Sequence, residues 1–247
     1  MSNFKTEYNA ALGREGLSAI NKFGFQAAIG TASIAVWDRA IAYNYIAAAT
    51  VLKVSSSSTA DDAGSTGATT VTLSGLDANY DAVSETVTMD GQTTVTTTQT
   101  FLRIFRMVVD TAGSGGVNAG TIFAYTGAQA SGTPSTATLI YAQITIGANQ
   151  TLMAVYTVPA NCTALMTDLT VSGDASQTIT AELVARPLGG VFNIKEKFLL
   201  NNGVTHIQHV VPKSFAAKTD LELRAKVSAS TTDIAAMFDA LCIPNVA

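Results

Sequence analysis

The sequence predicts an all-β protein, and three observations predict it. Short segments alternate apolar and polar residues with a period of two, as in Thr69-Thr70-Val71-Thr72-Leu73 and Glu85-Thr86-Val87-Thr88-Met89. Strong turn signals follow them, such as Asp90-Gly91, a pair that favours the positive φ of a tight hairpin. The segments recur at roughly 8–12-residue spacing between turns rich in Gly, Ser, Asp and Thr, the rhythm of a sandwich or barrel.

Residues 1–42 show no clean period of either kind. Glycines at 13, 16, 24 and 30 interrupt them, and Trp37-Asp38-Arg39 stands near their end. They read as an extended N-terminal arm with room for one short helix. The arm holds Phe4, Tyr8, Phe23, Phe25, Ile34 and Trp37. Such side chains are costly to leave wet, since burying one recovers roughly 1.5–3 kcal/mol. These six are therefore the expected attachment residues, and either a partner's groove or a groove of the same chain could take them.

Residues 43–130 read as a small Greek-key-like sandwich. It carries the two alternating segments above, the apolar run Phe101 to Val109, and Ala119 to Thr126 after a Gly-rich loop. Gly127 to Thr136, with Pro134, reads as a boundary. From 131 to 247, candidate strands fall at 137–146, 151–158, 163–172, 177–187, 190–200, 204–211, 220–228 and 233–243. Eight strands is the jelly-roll number. Leu221, Leu223, Ala225 and Val227 alternate with Glu222, Arg224, Lys226 and Ser228, giving one buried and one wet face. The last strand is apolar on both faces apart from Asp239, so both should be covered.

Composition narrows the function. Hydrophobic residues are 47% and charged residues 13% of the 247, about half the usual charged share. A weakly polar surface of this kind suits a chain covered by its neighbours. The net charge is −4 and no Lys/Arg run occurs, so no nucleic-acid partner is expected. No stretch reaches the ~18 uninterrupted apolar residues of a membrane span. The first residues lack the basic-then-apolar pattern of a signal peptide, so the chain is expected to be made in the cytosol and to stay there until something else carries it out.

Candidate chemistry is sparse. Asp77, Asn79 and Asp81 have the opening spacing of a calcium loop, but Ala82 and Thr88 stand where a glycine and a bidentate acid are needed. An Asx-bonded turn is the better reading. His206 and His209 lie in a strand-like run, where an odd offset sends them to opposite faces. Cys162 and Cys242 sit in apolar surroundings with no metal spacing. Buried thiols are the first expectation, and a disulfide within or between subunits the second. Asp61-Asp62 lies in a Ser-rich loop where solvation is expected. No catalytic, metal or cofactor residue is assigned, and no enzyme activity or cofactor is expected.

Several blocks resemble a broad group of virion structural proteins of tailed bacteriophages, chiefly from marine and other environments. They are Ile20-Asn21-Lys22-Phe23-Gly24 with Val36-Trp37-Asp38, Gly67 through Tyr80, Ser84 through Gly91, and Ala112 through Gly120. Gln150 through Ala160 and Glu182 through Phe192 extend the resemblance over nearly the whole chain. It departs after Trp37-Asp38, where relatives carry a glycine cluster and this chain has Arg39-Ala40-Ile41-Ala42. The resemblance implies a virion component without catalytic residues. The expectation is a capsid decoration or cement protein, homo-oligomeric and bound to the major capsid protein or other virion proteins. A neck, tail or fibre component and a glycan-binding receptor module are the alternatives.

Overall fold

The computed structural model describes residues 4–245 except 175, 177, 201 and 202, with side chains from Thr6 onward. The chain is all-β and divides into two compact units. One takes the chain up to Ile41 and again from Met153, and the other is Ala42–Leu152. We call them the split unit and the inserted unit.

The split unit opens with helix α1 (Phe4–Ala11), β1 (Ser18–Ile29) and β2 (Ile34–Ala35). The inserted unit holds β3 (Thr50–Ser56), β4 (Ala68–Leu76), β5 (Ala82–Thr88), β6 (Val95–Phe101), β7 (Arg103–Ala112) and β8 (Ile122–Tyr125). A small hairpin of β9 (Gln129–Ala130) and β10 (Thr133–Pro134) follows, then β11 (Ile140–Ile144). The chain then re-enters the split unit with β12 (Val155–Thr157), β13 (Cys162–Gly173), β14 (Ile179–Arg186) and β15 (Asn193–Leu200). It ends with β16 (Val204–Phe215), β17 (Asp220–Val227) and β18 (Thr232–Pro244).

The split unit is a jelly roll. Its sheets run β1-β18-β13-β16 and β12-β17-β14-β15. The pairs β1–β18, β12–β17, β13–β16 and β14–β15 nest inside one another, as in a long hairpin rolled up on itself. One of its strands is interrupted by the whole inserted unit. Ile34 and Ala35 pair with Ala225 and Arg224, and Val155 takes up the same line opposite Glu222. Ala154 N donates to Val36 O at 2.9 Å and Trp37 bridges Met153, which stitches the two pieces together. Gly24 of β1 packs on this junction, where a Cβ would strike the Val36 carbonyl oxygen.

The inserted unit begins at Ala42, one residue from the boundary expected at 42/43, but it ends at Leu152, so the boundary expected at 130/131 is corrected, as is the reading of 1–42 as an arm. Residues 18–29 are no arm. They form a full strand, paired from Ser18–Cys242 to Ile29–Thr232. Its inward positions are Ile20, Lys22, Gly24 and Gln26, all buried where the strand's exposure is described. A core-facing row with Lys, Gly and Gln in it hides the period that would have announced a strand. Gly127–Thr136 is no linker either. Ser131 and Gly132, at φ 48° and 75°, close the β9–β10 hairpin in the conformation that two-residue turns require. The first of the eight expected strands, β11, belongs to the inserted unit and pairs with β8. Its place in the jelly roll is filled by β1.

The inserted unit pairs β11-β8-β3-β6 in one sheet and β5-β4-β7 in the other. Its core includes Leu52, Val54, Leu73, Phe101, Met107 and Tyr125, each with essentially no exposed surface. Asp61, expected to be solvated, is fully buried instead. Its carboxylate accepts from the backbone N–H of Ala68 (2.7 Å), Ala119 (2.7 Å) and Gly120 (2.8 Å) and from the Ser56 hydroxyl (2.5 Å). It ties its own loop to the end of β3, the start of β4 and the loop before β8. Gly67 must be glycine because a Cβ would collide with the same carboxylate.

Candidate interaction surface

The surface that stands out is the edge formed by β15 and β16, the last strands of their two sheets. Of the thirteen large apolar side chains exposed among the described residues, seven fall between Leu188 and Val211. A chain of this length would otherwise scatter them, so the concentration marks a face built for contact.

Local irregularities shape that edge. Met166 pairs with Lys213 and Asp168 with Gln208, so four residues of β16, His209 to Pro212, stand against Thr167 alone. The strand bulges, and Val210 and Val211 are left 90% and 81% exposed at its tip. On β15, Leu183 pairs with Glu196 and Val184 with Ile194, so Lys195 is a bulge residue as well. Both bulges break the flat ladder that another strand could extend, and Pro212 offers no N–H. At the bulges the edge offers little to strand addition and is open to side-chain docking.

Glu196 straps the bulge from the facing sheet. It lies opposite the buried Leu183 and accepts from His209 Nε2 at 2.9 Å, with Lys213 Nζ 3.8 Å away. The β14–β15 loop, which exposes Leu188 and Val191, is anchored by buried charge. Arg186 donates to Asp220 Oδ2 through Nε (2.9 Å) and Nη2 (2.6 Å), and Thr157 donates to Oδ1 at 2.6 Å. Phe192 carries the Arg186 guanidinium 4.6 Å and the Arg224 guanidinium 4.5 Å from its ring, and Arg224 pairs with Glu222 at 2.6 Å. Nearby, burial pushes the Glu182 carboxyl upward. Hydrogen bonds from Lys197 and Ser33, with the charges of Lys197 and Lys226, more than offset this and hold it below its usual range.

Two shallow grooves include residues of β16. One, of about 360 Å³, is lined by Asp168, Asp239, His206 and Met237 among others, ahead of the bulge in β16. The other, of about 300 Å³, is lined by Lys195, Lys213, Ser214 and Phe215, beyond it. The first is acidic and the second basic.

The residues expected to attach the protein are not gathered here. Trp37 is 1% exposed inside the split unit, its indole N–H donating to Ile41 O at 2.8 Å. Ile34, in β2, pairs with Ala225 of β17, and Phe23 and Phe25 lie half-buried on the outward face of β1. Tyr8, on α1, is 62% exposed. The side chain of Phe4 lies outside the described residues. Of the five whose side chains are described, only Trp37 is buried, and it is buried within its own unit. The edge that replaces them escaped the sequence because Val210 and Val211 read as an ordinary strand core. Only the unequal spacing against β13 turns them outward. Pro212 was the one available signal.

The other candidates resolve locally. Asp77 Oδ1 accepts from the backbone N–H of Asn79 (2.8 Å) and Asp81 (3.0 Å), the Asx-bonded turn that was expected. His206 meets Thr170 at 2.8 Å on the outer face of its sheet, whereas His209 meets Glu196 on the other side. Cys162 and Cys242 are joined in a disulfide, with Cα atoms 5.6 Å apart, which overturns the first expectation of buried thiols. Antiparallel pairing of Cys162 with Pro244 and Ala164 with Cys242 brings them together diagonally across β13 and β18. Among the described residues no helix is long and apolar enough to cross a membrane.

No family model matches the chain, and no curated protein matches it. Weak structural similarity is found to T=1 particles derived from infectious bursal virus, at 11% identity and a TM-score of 0.13 over 93% of this chain and 79% of that one. A structure of the infectious bursal disease virus Gt strain gives 11% identity and a TM-score of 0.13, covering 93% and 82%. Scores this low define no shared fold, and the architecture rests on the strand pairing described above.

Proposed function

We propose that this chain is a non-enzymatic structural protein of a tailed-phage particle, serving as a capsid decoration or cement protein that clamps neighbouring major-capsid subunits. The observation that carries the reading is the run of exposed apolar side chains along the β15–β16 edge, on a chain with few charges elsewhere. Burying each would recover roughly 1.5–3 kcal/mol. The jelly roll supports the reading, being a fold that recurs in capsid proteins and lectins. The sequence resemblance to virion proteins supports it further. A clamp of this kind acts by mass action: binding only the assembled lattice stabilises that lattice, and several simultaneous contacts raise the avidity. A glycan-binding module would be expected to display its aromatic residues, yet the single Trp is buried.

The test is the copy number of this chain in purified virions, read by quantitative mass spectrometry against the major capsid protein. A decoration protein should approach the abundance of the capsid subunit. A small fraction of it would move the protein to the neck, tail or fibre, and absence from virions would end the proposal.

A further inference from the structure

We propose that the Cys162–Cys242 bond is a redox lock. It closes on a split unit that is already folded, and its oxidation state sets how firmly the end of β18 is held, whatever the protein binds. The first ground is the ladder itself. β13 and β18 pair from Cys162–Pro244 to Gly173–Ile234, with Cys162 opposite Pro244 and Cys242 opposite Ala164. That register alone sets the two Cα atoms 5.6 Å apart, within the usual reach of a disulfide. The same end is also held without the bond. Asn245 N donates to Asn161 O at 2.9 Å, Thr163 Oγ1 donates to Asn245 Oδ1 at 2.8 Å, and Ser18 of β1 stands opposite Cys242.

The sequence holds two cysteines, so only one pairing exists within the chain and oxidation can follow folding without reshuffling. Burial then makes the bond slow to change. Cys162 and Cys242 are 2% and 8% exposed, on the inward rows that continue as Ala164, Met166 and Ala240, Phe238. Thiol–disulfide exchange needs a thiolate to reach a sulfur, so making and breaking the bond both wait on an opening of the ladder. β18 ends at Pro244, two residues past Cys242, so opening its last rungs is enough and global unfolding is not required. A low-molecular-weight disulfide such as oxidised glutathione serves as oxidant. One cysteine thiolate attacks it, forming a mixed disulfide and releasing one glutathione thiolate, and the second cysteine thiolate displaces the other. The two protein thiols lose two protons and two electrons, and the oxidant is reduced to two thiols. In the reduced chain the ladder persists and its end frays; in the oxidised chain that end is closed.

The experiment reduces the full chain with dithiothreitol, returns it to native buffer and equilibrates it in glutathione redox buffers, with free thiols alkylated and counted by mass spectrometry. Trp37 fluorescence and circular dichroism should show the reduced chain folded. The bond should re-form in native buffer at an effective concentration about a thousandfold above that in strong urea, because folding and bond formation favour each other by the same factor. Hydrogen exchange over Ala240–Ile243 should be at least about tenfold faster in the reduced chain than in the oxidised one, with the inserted unit unchanged. Cys162→Ala with Cys242→Ala should fold, exchange like the reduced chain and ignore dithiothreitol. A reduced chain that is unfolded overturns the proposal, since the bond would then be a condition of folding. So does an effective concentration no higher than in urea, exchange at the end of β18 that is indifferent to redox state, or a double variant that still responds to reductant.

Discussion

Both units close the open side of their sandwich with the same device, and the residues at its tip differ. In the inserted unit, Glu85 of β5 lies opposite the buried Leu73 and reaches the edge strand β6 of the other sheet. There it accepts from the backbone N–H of Thr98 (2.9 Å) and Gln99 (2.7 Å), within a bulge that sets residues 97–99 against Leu52. In the split unit, Glu196 of β15 lies opposite the buried Leu183 and straps the bulge of β16 through His209. One bulge presents Thr98 and Gln99, residues that water solvates well. The other presents Val210 and Val211. An edge glutamate is therefore a way to hold a bulge, and the tip decides whether the edge is merely finished or made available to a partner.

The means of cohesion differ as well. The split unit relies on a disulfide and on partly buried ion pairs such as Arg186–Asp220, whereas the inserted unit relies on uncharged N–H and O–H donors converging on one buried carboxylate. Trp37 is the only Trp and lies in the split unit, so its fluorescence reports on that unit while circular dichroism reports on both.

The largest expected effect separates the two. Reducing the Cys162–Cys242 bond, which spans 80 residues, should cost the split unit about 4–5 kcal/mol in the chain-entropy picture. The Trp37 transition should fall by many degrees in reductant while the remaining dichroic transition holds. Equal shifts in both signals would show that the units do not unfold separately. Next comes Asp61→Ala, which strips the acceptor from three backbone N–H groups and a hydroxyl and should cost the inserted unit about 3 kcal/mol or more. Here the dichroic transition should move and the Trp37 transition should stay.

Two smaller effects sharpen the comparison of the edges. Glu85→Ala should lower the inserted unit's stability by about 1–2 kcal/mol, since two backbone donors on a partly exposed edge lose their acceptor and gain water instead. Chemical denaturation followed by circular dichroism would measure it, and no change would mean that the bulge of β6 holds itself. The smallest effect concerns Glu182, whose folded carboxyl is held below its usual range. Its contribution is present above the unfolded value of about 4.3 and is lost as pH falls through the lower folded value. Melts of Glu182→Gln followed by Trp37 should lie below the parent at pH 7. The gap should close as the medium is acidified below about pH 4. A gap that persists in acid would assign the loss to packing.

Much of the secondary structure was legible in the sequence, because a strand with one buried face declares itself by alternation. The seven expected strands from 151 to 243 each coincide with one of β12 to β18. Asp90-Gly91 turns the chain, with Gly91 at φ 56°, but it passes from β5 in one sheet to β6 in the other instead of closing the expected hairpin. The Asx turn at Asp77 and the separation of the two histidines were likewise readable, since both depend on neighbours a few positions away. What the tertiary structure alone decided depends on partners far along the chain. Residues 18–29 became a strand because β18, more than two hundred positions later, supplies the ladder that their mixed inward row of Ile20, Lys22, Gly24 and Gln26 could not advertise. Asp61 was sorted into the interior because the start of β4 and the loop before β8, about fifty residues later, bring their N–H groups to it. Val210 and Val211 were turned outward by a register mismatch with β13, a property of two strands together and of neither one by itself. Local pattern determines which segments extend and where they turn. Pairing over long separations determines which face is inside, and with it which surface is left for a partner.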